Sequence, residues 1–232
     1  MKRALLPLLL ALSACVGTVG EAPAPGPGPA AAPQASRDLA ARNFVEAVNR
    51  VEPVAERICR EETRGVDCDF RISIDTRPGR PPNAFQTIDK AGRPQIIFTV
   101  ALIAEARNAD EIAFVVGHEA AHHIAGHIPR LQRSALGGAV LGGLIATAMG
   151  GDPAAVEIGQ DIGATVGARR YSKEFELEAD AIGTVIAHRA GYDPVRGAAF
   201  FGRIPDPGDR FLGTHPPNAQ RMETVRRVAA RL

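Results

Sequence analysis

The chain has 232 residues, enough for one domain or two small ones, and is 45% hydrophobic and 23% charged, as expected of a protein with a real core. Its 27 basic and 26 acidic side chains leave a formal net charge of +1. No basic block or aromatic-basic pattern accompanies them, which excludes nucleic acid as the partner.

Lys2 and Arg3 precede the apolar run Ala4 to Leu12, followed by Ser13-Ala14-Cys15. A basic start, a short apolar stretch and small residues form a secretory leader, too short to span a bilayer comfortably. Leu12-Ser13-Ala14-Cys15 also resembles a bacterial lipobox, in which cleavage precedes a cysteine that is then acylated. The alternatives are an ordinary signal peptide or an uncleaved anchor. Acylation of Cys15 would tether the chain to a lipid membrane, since two or three acyl chains hold where one does not. Val16 in place of Asp removes the inner-membrane retention signal of enterobacterial lipoproteins, favouring the outer membrane and its periplasmic face. Residues 15–35 are rich in Pro, Ala and Gly and read as a flexible tether. The expected division is thus a leader over 1–14, an anchor and tether over 15–35, and a folded domain over 36–232.

Ser36 is a plausible N-cap for a helix carrying Leu39, Val45, Val48, Val51 and Ile58 to Cys59, kinked at Pro53. Cys59 and Cys68 then share an oxidising compartment. A disulfide between them would contribute about 2–4 kcal/mol; the alternative is a pair of buried thiols. Phe70, Ile72 and Ile74 alternate with polar residues in a half-buried strand. Residues 78–82 form a loop, and two further strands, Asn83 to Ile88 and Gln95 to Thr99, flank Asp89-Lys90-Ala91-Gly92. Everything beyond Val100 reads as helical, including a helix from a capping-box start at Asn108 and Glu111 to about Gln132. The fold class is α+β: mainly helical, with a small N-terminal β-sheet. Ser134 to Gly151 carries no charge and is crowded with Gly and Ala. It fits a buried helical hairpin, a mobile lid or a membrane-contacting segment.

The chemistry concentrates at His118-Glu119-Ala120-Ala121-His122. Histidines four apart project from one helix face, as two ligands of a tetrahedral zinc ion require, and Glu119 is placed to take a proton from an attacking water. A metzincin third ligand would need Gly and His where the chain has Ala125 and Ile128, so that arrangement fails. Downstream, Glu176 and Asp180 share a helix face at i, i+4, while Glu178 lies about 200° round from Glu176 and is expected in solvent. Ala179 and Gly183 adjoin that face and would let the helix approach the histidine helix closely. Glu176 therefore serves best as the third ligand, with Asp180 orienting a ligand histidine through its free ring N–H. His123 and His127 sit off the ligand face by helical angle and are expected at the surface or behind the ligands. His188 has no motif around it.

Asn83-Ala84-Phe85, the run Gln95 to Ala104, Asp110-Glu111 leading into the histidine motif, and Glu176-Leu177-Glu178-Ala179-Asp180 together resemble the M48 family of metallopeptidases. Within it the chain looks like the periplasmic lipoprotein members of the BepA and LoiP type and the mitochondrial Oma-type protease, over roughly Ser36 to the C-terminus. The resemblance implies a gluzincin-type domain with one zinc ion on His118, His122 and Glu176, and Glu119 as base. It implies quality-control proteolysis of unfolded or misassembled envelope proteins. It also admits a zinc-bearing chaperone working with the outer-membrane assembly machinery. Thr214-His215-Pro216-Pro217, with Arg221 following, resembles a motif whose histidine can approach the zinc and keep the enzyme latent; a plain helix-entry turn is the alternative. Arg221 would pair with Glu119 or a substrate carbonyl, or else lie solvated on a helix surface.

Overall fold

The computed structural model describes residues 34–170, 172–206, 208 and 215–232; Cys15, the leader and most of the tether lie outside them. The first helix, α1 (Gln34–Glu62), already includes Ser36, which therefore does not cap it, and runs through Pro53. It buries Phe44, Ala47, Val51, Val54 and Ile58, a stripe at three- and four-residue spacing. A Cys59–Cys68 disulfide, with Cα atoms 5.7 Å apart, ties its end to the segment that enters the sheet.

The sheet has β1 (Arg71–Asp75), β2 (Ala84–Ile88) and β3 (Pro94–Thr99) in the order β1-β3-β2. β3 is central and the most deeply buried, with Ile96 and Phe98 closed off from solvent. It pairs parallel with β1 and antiparallel with β2. The β2–β3 hairpin closes over Asp89 to Gly92, with Gly92 at φ 92° and Asp89 Oδ1 accepting from the Ala91 amide. β2 is thus an edge strand. Thr99 then caps α2 (Val100–Glu105), its Oγ1 accepting from Leu102 N.

The helix α3 (Ala109–Ile124) begins at Asn108, whose side chain accepts from Glu111 N at 3.1 Å. The return half of the capping box is absent. The Glu111 carboxylate instead takes the Arg107 amide and a bidentate pair of bonds from Arg203 at 2.7 and 2.6 Å. α3 does not reach Gln132 as the periodicity suggested. It stops at Ala125, because Gly126 adopts the left-handed conformation at φ 64°, and the chain restarts in a new direction as α4 (His127–Ala148).

α4 and α5 (Pro153–Arg170) form an antiparallel hairpin along a glycine seam. A Cβ on Gly138 or Gly142 would collide with the carbonyl oxygens of Gly163 and Gly159. Ser134 to Gly151 is therefore part of a helical hairpin, but not a buried one. The seam consumes glycines, and Leu136, Leu144 and Met149 are left 66, 62 and 82% exposed.

α6 (Ser172–Arg189) crosses α3 where Gly117 faces Gly183. After it come α7 (Pro194–Ala198), a 3-10 turn (Ala199–Gly202) and α8 (Asn218–Ala229). The domain is α+β and mainly helical, as the sequence pattern indicated. A Cβ on Gly183 would lie 2.8 Å from His118 N, and one on Gly117 would lie 2.9 Å from Gly183 O. Gly183→Val is therefore expected to force the two helices apart and destabilise the domain by about 1–3 kcal/mol, read as a lowered Tm in thermal unfolding. An unchanged Tm would contradict this account of the contact.

Candidate metal centre

The α3–α6 crossing places two histidines of one helix against two carboxylates of the other. His118 Nε2 and His122 Nε2 are 3.1 Å apart; Glu176 brings Oε2 to 3.6 Å from the first and Oε1 to 3.5 Å from the second. Among the described residues, these three make the group able to hold a metal ion. Tetrahedral zinc with bonds near 2.05 Å has ligand–ligand edges of roughly 3.3 Å, so the spacing matches. The donors themselves, two imidazoles and a carboxylate with none of the thiolates of closed structural sites, are those of open catalytic centres. His118, His122 and Glu176 therefore fit zinc.

Each imidazole is held from behind, by different means. Asp180, fully buried, lies with Oδ1 3.0 Å from His118 Nδ1, as its helical spacing suggested. Arg221 reaches the same carboxylate from α8, Nε to Oδ2 at 2.8 Å and Nη2 to Oδ1 at 2.6 Å. Its Nη2 is also 3.5 Å from Glu176 Oε2, and its guanidinium sits 3.8 Å over the Phe201 ring. Arg221 is thus neither solvated on the helix surface nor paired with Glu119. It shares the buried stripe of α8 with Thr224 and Val225, and an arginine in a buried stripe needs a buried carboxylate.

His122 is steadied by a residue that sequence spacing misplaced. Because the helix breaks at Gly126, His127 is not half a turn away on the same cylinder but folds back, its Nδ1 2.8 Å from His122 Nδ1. Its Nε2 lies 3.1 Å from Glu178 Oε2, and Arg130 donates to that oxygen at 2.7 Å. The ring stacks on Phe175 at 4.5 Å between centroids. Glu178 therefore does not simply point to solvent; it links His127 to Arg130 in a chain running His122–His127–Glu178–Arg130. The glycine before His127 was the available signal, since Gly at a helix end marks a left-handed cap. His123 is buried for another purpose, with Nε2 2.7 Å from Asp67 O beside the disulfide. His188 is exposed at the far end of α6.

The charge states follow from these partners. Burial alone would lower the His118 pKa, but its bonds to Asp180 and Glu176 outweigh that and raise it. Burial, with the His118 charge adjacent, pushes His122 down. Burial would raise the Asp180 carboxyl, yet Arg221 and His118 hold it low. Burial works unopposed enough at Glu119 to raise its pKa, although His118, the Gln86 amide and Arg221 pull the other way. Glu119 is buried and lines the same cleft, of about 940 Å³, as His118 and His122. Phe114, Phe200, Ile204, Ile128 and Leu131 give it apolar lining, and Ala84 to Gln86 of β2 line it too. His215 also lines it, half exposed, with Nδ1 3.2 Å from Glu176 Oε2; it touches a candidate ligand but is not one of the three clustered donors.

For a metal held by this triad, His127→Ala is expected to weaken zinc affinity about 10–100-fold in a chelator competition, because His122 loses its orientation. Equal affinities would show the His127 chain to be incidental. A sequence model of Peptidase family M48 matches residues 48–229. No curated protein sequence matches the chain. The match spans well over half of the 232 residues, over the elements that carry the histidine pair and the carboxylate helix. The protein belongs to Peptidase family M48, a family of zinc-dependent metallopeptidases.

Proposed function

We propose that the chain is a zinc endopeptidase in which His118, His122 and Glu176 hold the ion and Glu119 is the general base. The observation that carries this is the convergence of three donor atoms at tetrahedral-edge spacing, in a cleft that also holds a buried carboxylate and an open strand edge. A bound zinc ion would supply Lewis acidity toward a peptide carbonyl. Glu119 accepts the proton of an attacking water and returns it to the departing amide nitrogen. The Gln86 amide, which bonds to its carboxylate, helps fix its orientation. Arg221 keeps Glu176 and Asp180 anionic, and Asp180 keeps the His118 ring turned toward the site.

The edge strand supports an extended substrate. Thr99 N donates to Asn83 O, and Asp89 N to Arg93 O, so the odd-numbered residues of this strand bond to β3. By alternation the backbone groups of Ala84 and Ile88 and the Gln86 carbonyl face outward, and a substrate strand would pair with them beside Glu119, which already takes the Gln86 amide. Main-chain pairing reads backbone rather than sequence, and only an unfolded segment can offer it. Unfolded or misassembled envelope proteins fit as substrates. Acylation of Cys15 would hold the enzyme at the outer membrane, facing the periplasm, in the manner of the BepA and LoiP type. His215, in contact with Glu176 at the cleft, is placed to restrain the site until substrate displaces it.

Unfolded casein incubated with zinc-loaded protein tests the mechanism. Glu119→Gln is expected to retain zinc and slow cleavage by about two to four orders of magnitude, while His215→Ala cleaves faster than the parent. Cleavage undiminished in Glu119→Gln would sink the assignment of the base, and a slower His215→Ala would sink the latency. For the anchor, labelled palmitate is expected to enter the parent chain and not Cys15→Ser; equal labelling would remove Cys15 as the acylated residue.

A further inference from the structure

The α4–α5 hairpin packs chiefly on itself and carries a large apolar surface that the catalytic reading does not use. Its seam pairs Ser134 with Gly167, Gly138 with Gly163 and Gly142 with Gly159. In such an antiparallel pair, residues one position before each seam residue fall on the same face of both helices. On that face lie Leu141 and Ile145 from α4 and Ile158, Ile162 and Val166 from α5, each between 42 and 60% exposed. The opposite face carries Ala139, Gly143, Gln160 and Ala164. The outer edges differ too: α4 shows Leu136, Val140 and Leu144, whereas α5 shows Glu157 and Asp161. The hairpin is therefore apolar on one broad face and along the α4 edge, and acidic only along the α5 edge.

An exposed apolar surface of this kind marks a binding site. Three observations favour a lipid surface as its occupant. Ser134 to Gly151 contains no charged residue at all, so the α4 side offers nothing for a protein partner's polar rim to pair with. Arg133, four residues before Gly137 and exposed, stands at the base of the same face, where a cation meets anionic headgroups. The chain from Cys15 to Gln34 can span at most roughly 65 Å, more than the breadth of a domain of this size, so an acylated Cys15 would make bilayer contact intramolecular. This last point rests on the lipid-anchor reading; the first two do not. None of the helices is long and apolar enough to cross a membrane among the described residues.

We propose that the α4–α5 hairpin lies in the plane of the membrane interface, with the Leu141/Ile162 face and the α4 edge immersed and the Glu157/Asp161 edge in water. Such an element binds as an amphipathic interfacial helix does, by apolar area plus attraction of its basic end to anionic lipid.

The test uses the full chain with Cys15→Ser, which leaves Cys59 and Cys68 paired, and a single environment-sensitive NBD label at Leu141→Cys or Gln160→Cys. Vesicles of phosphatidylethanolamine and phosphatidylglycerol with brominated acyl chains serve as quencher. The label at 141 is expected to shift to the blue and be quenched several-fold more than the label at 160. Absence of quenching at both sites, or equal quenching at both, overturns the proposal. A blue shift at 141 that grows with protein concentration without vesicles assigns the face to a second copy and also overturns it. Because each label reports immersion at its own position, the result stands whether or not Cys15 is acylated.

Discussion

The domain depends on one contact between backbones, the crossing of α3 and α6 at Gly117 and Gly183. A Cβ on either residue would sit within 2.9 Å of the other helix's main chain, so no side chain separates the two helices there. At that separation side chains within two turns of the crossing meet directly: His118 touches Asp180, and Glu176 reaches both histidines. A wider crossing, such as larger residues produce, would leave the imidazoles and carboxylates facing each other across a gap.

That closeness has an electrostatic cost, and the remaining helices answer it. Glu176 and Asp180 are both nearly buried, and two carboxylates beside each other in the interior do not both stay ionised without a cation. α8 supplies it, threading Arg221 to the pair over the Phe201 ring. Phe201 in turn packs edge-on against Phe114 of α3, so the C-terminal part of the chain is joined to the histidine helix by both charge and aromatic contact. The two candidate ligand histidines end up differently supported. His118 is locked by a buried ion pair, while His122 rests on a more exposed chain through His127 and Glu178, whose carboxylate is 41% exposed. The firmer end lies in the core and the looser end faces the hairpin.

Glycine serves two purposes that the packing separates. In the core it brings the candidate metal-binding side chains together. In the hairpin it draws two helices so close that their large aliphatic residues have nowhere to go but outward. The same residue type therefore builds a buried site in one place and an exposed apolar face in the other. Physically the difference lies in what surrounds each crossing: the α3–α6 contact is enclosed by α1, α7 and α8, while α4 and α5 have chiefly each other.

Local spacing alone determined a good part of this protein. The four-residue interval in His118 and His122, the matching interval in Glu176 and Asp180, and the hairpin from β2 to β3 depend only on helix and strand periods, which the chain carries wherever it folds. The close approach at Gly183 was also legible, since only glycine beside Ala179 would allow it. What tertiary structure alone decided lies between elements. Periodicity assigns a face to a helix but not the element that meets it, so the sequence left Arg221 between pairing with Glu119 or a substrate carbonyl and solvation, whereas α8 turns it inward to Asp180. A single left-handed residue, Gly126, redirected everything beyond it, so angles measured along an unbroken helix misplaced His127, and Glu178 was misread because its partners lie on α4. The pairing of β1 parallel to β3, which makes β2 the edge beside the site, likewise joins segments that no local interval relates.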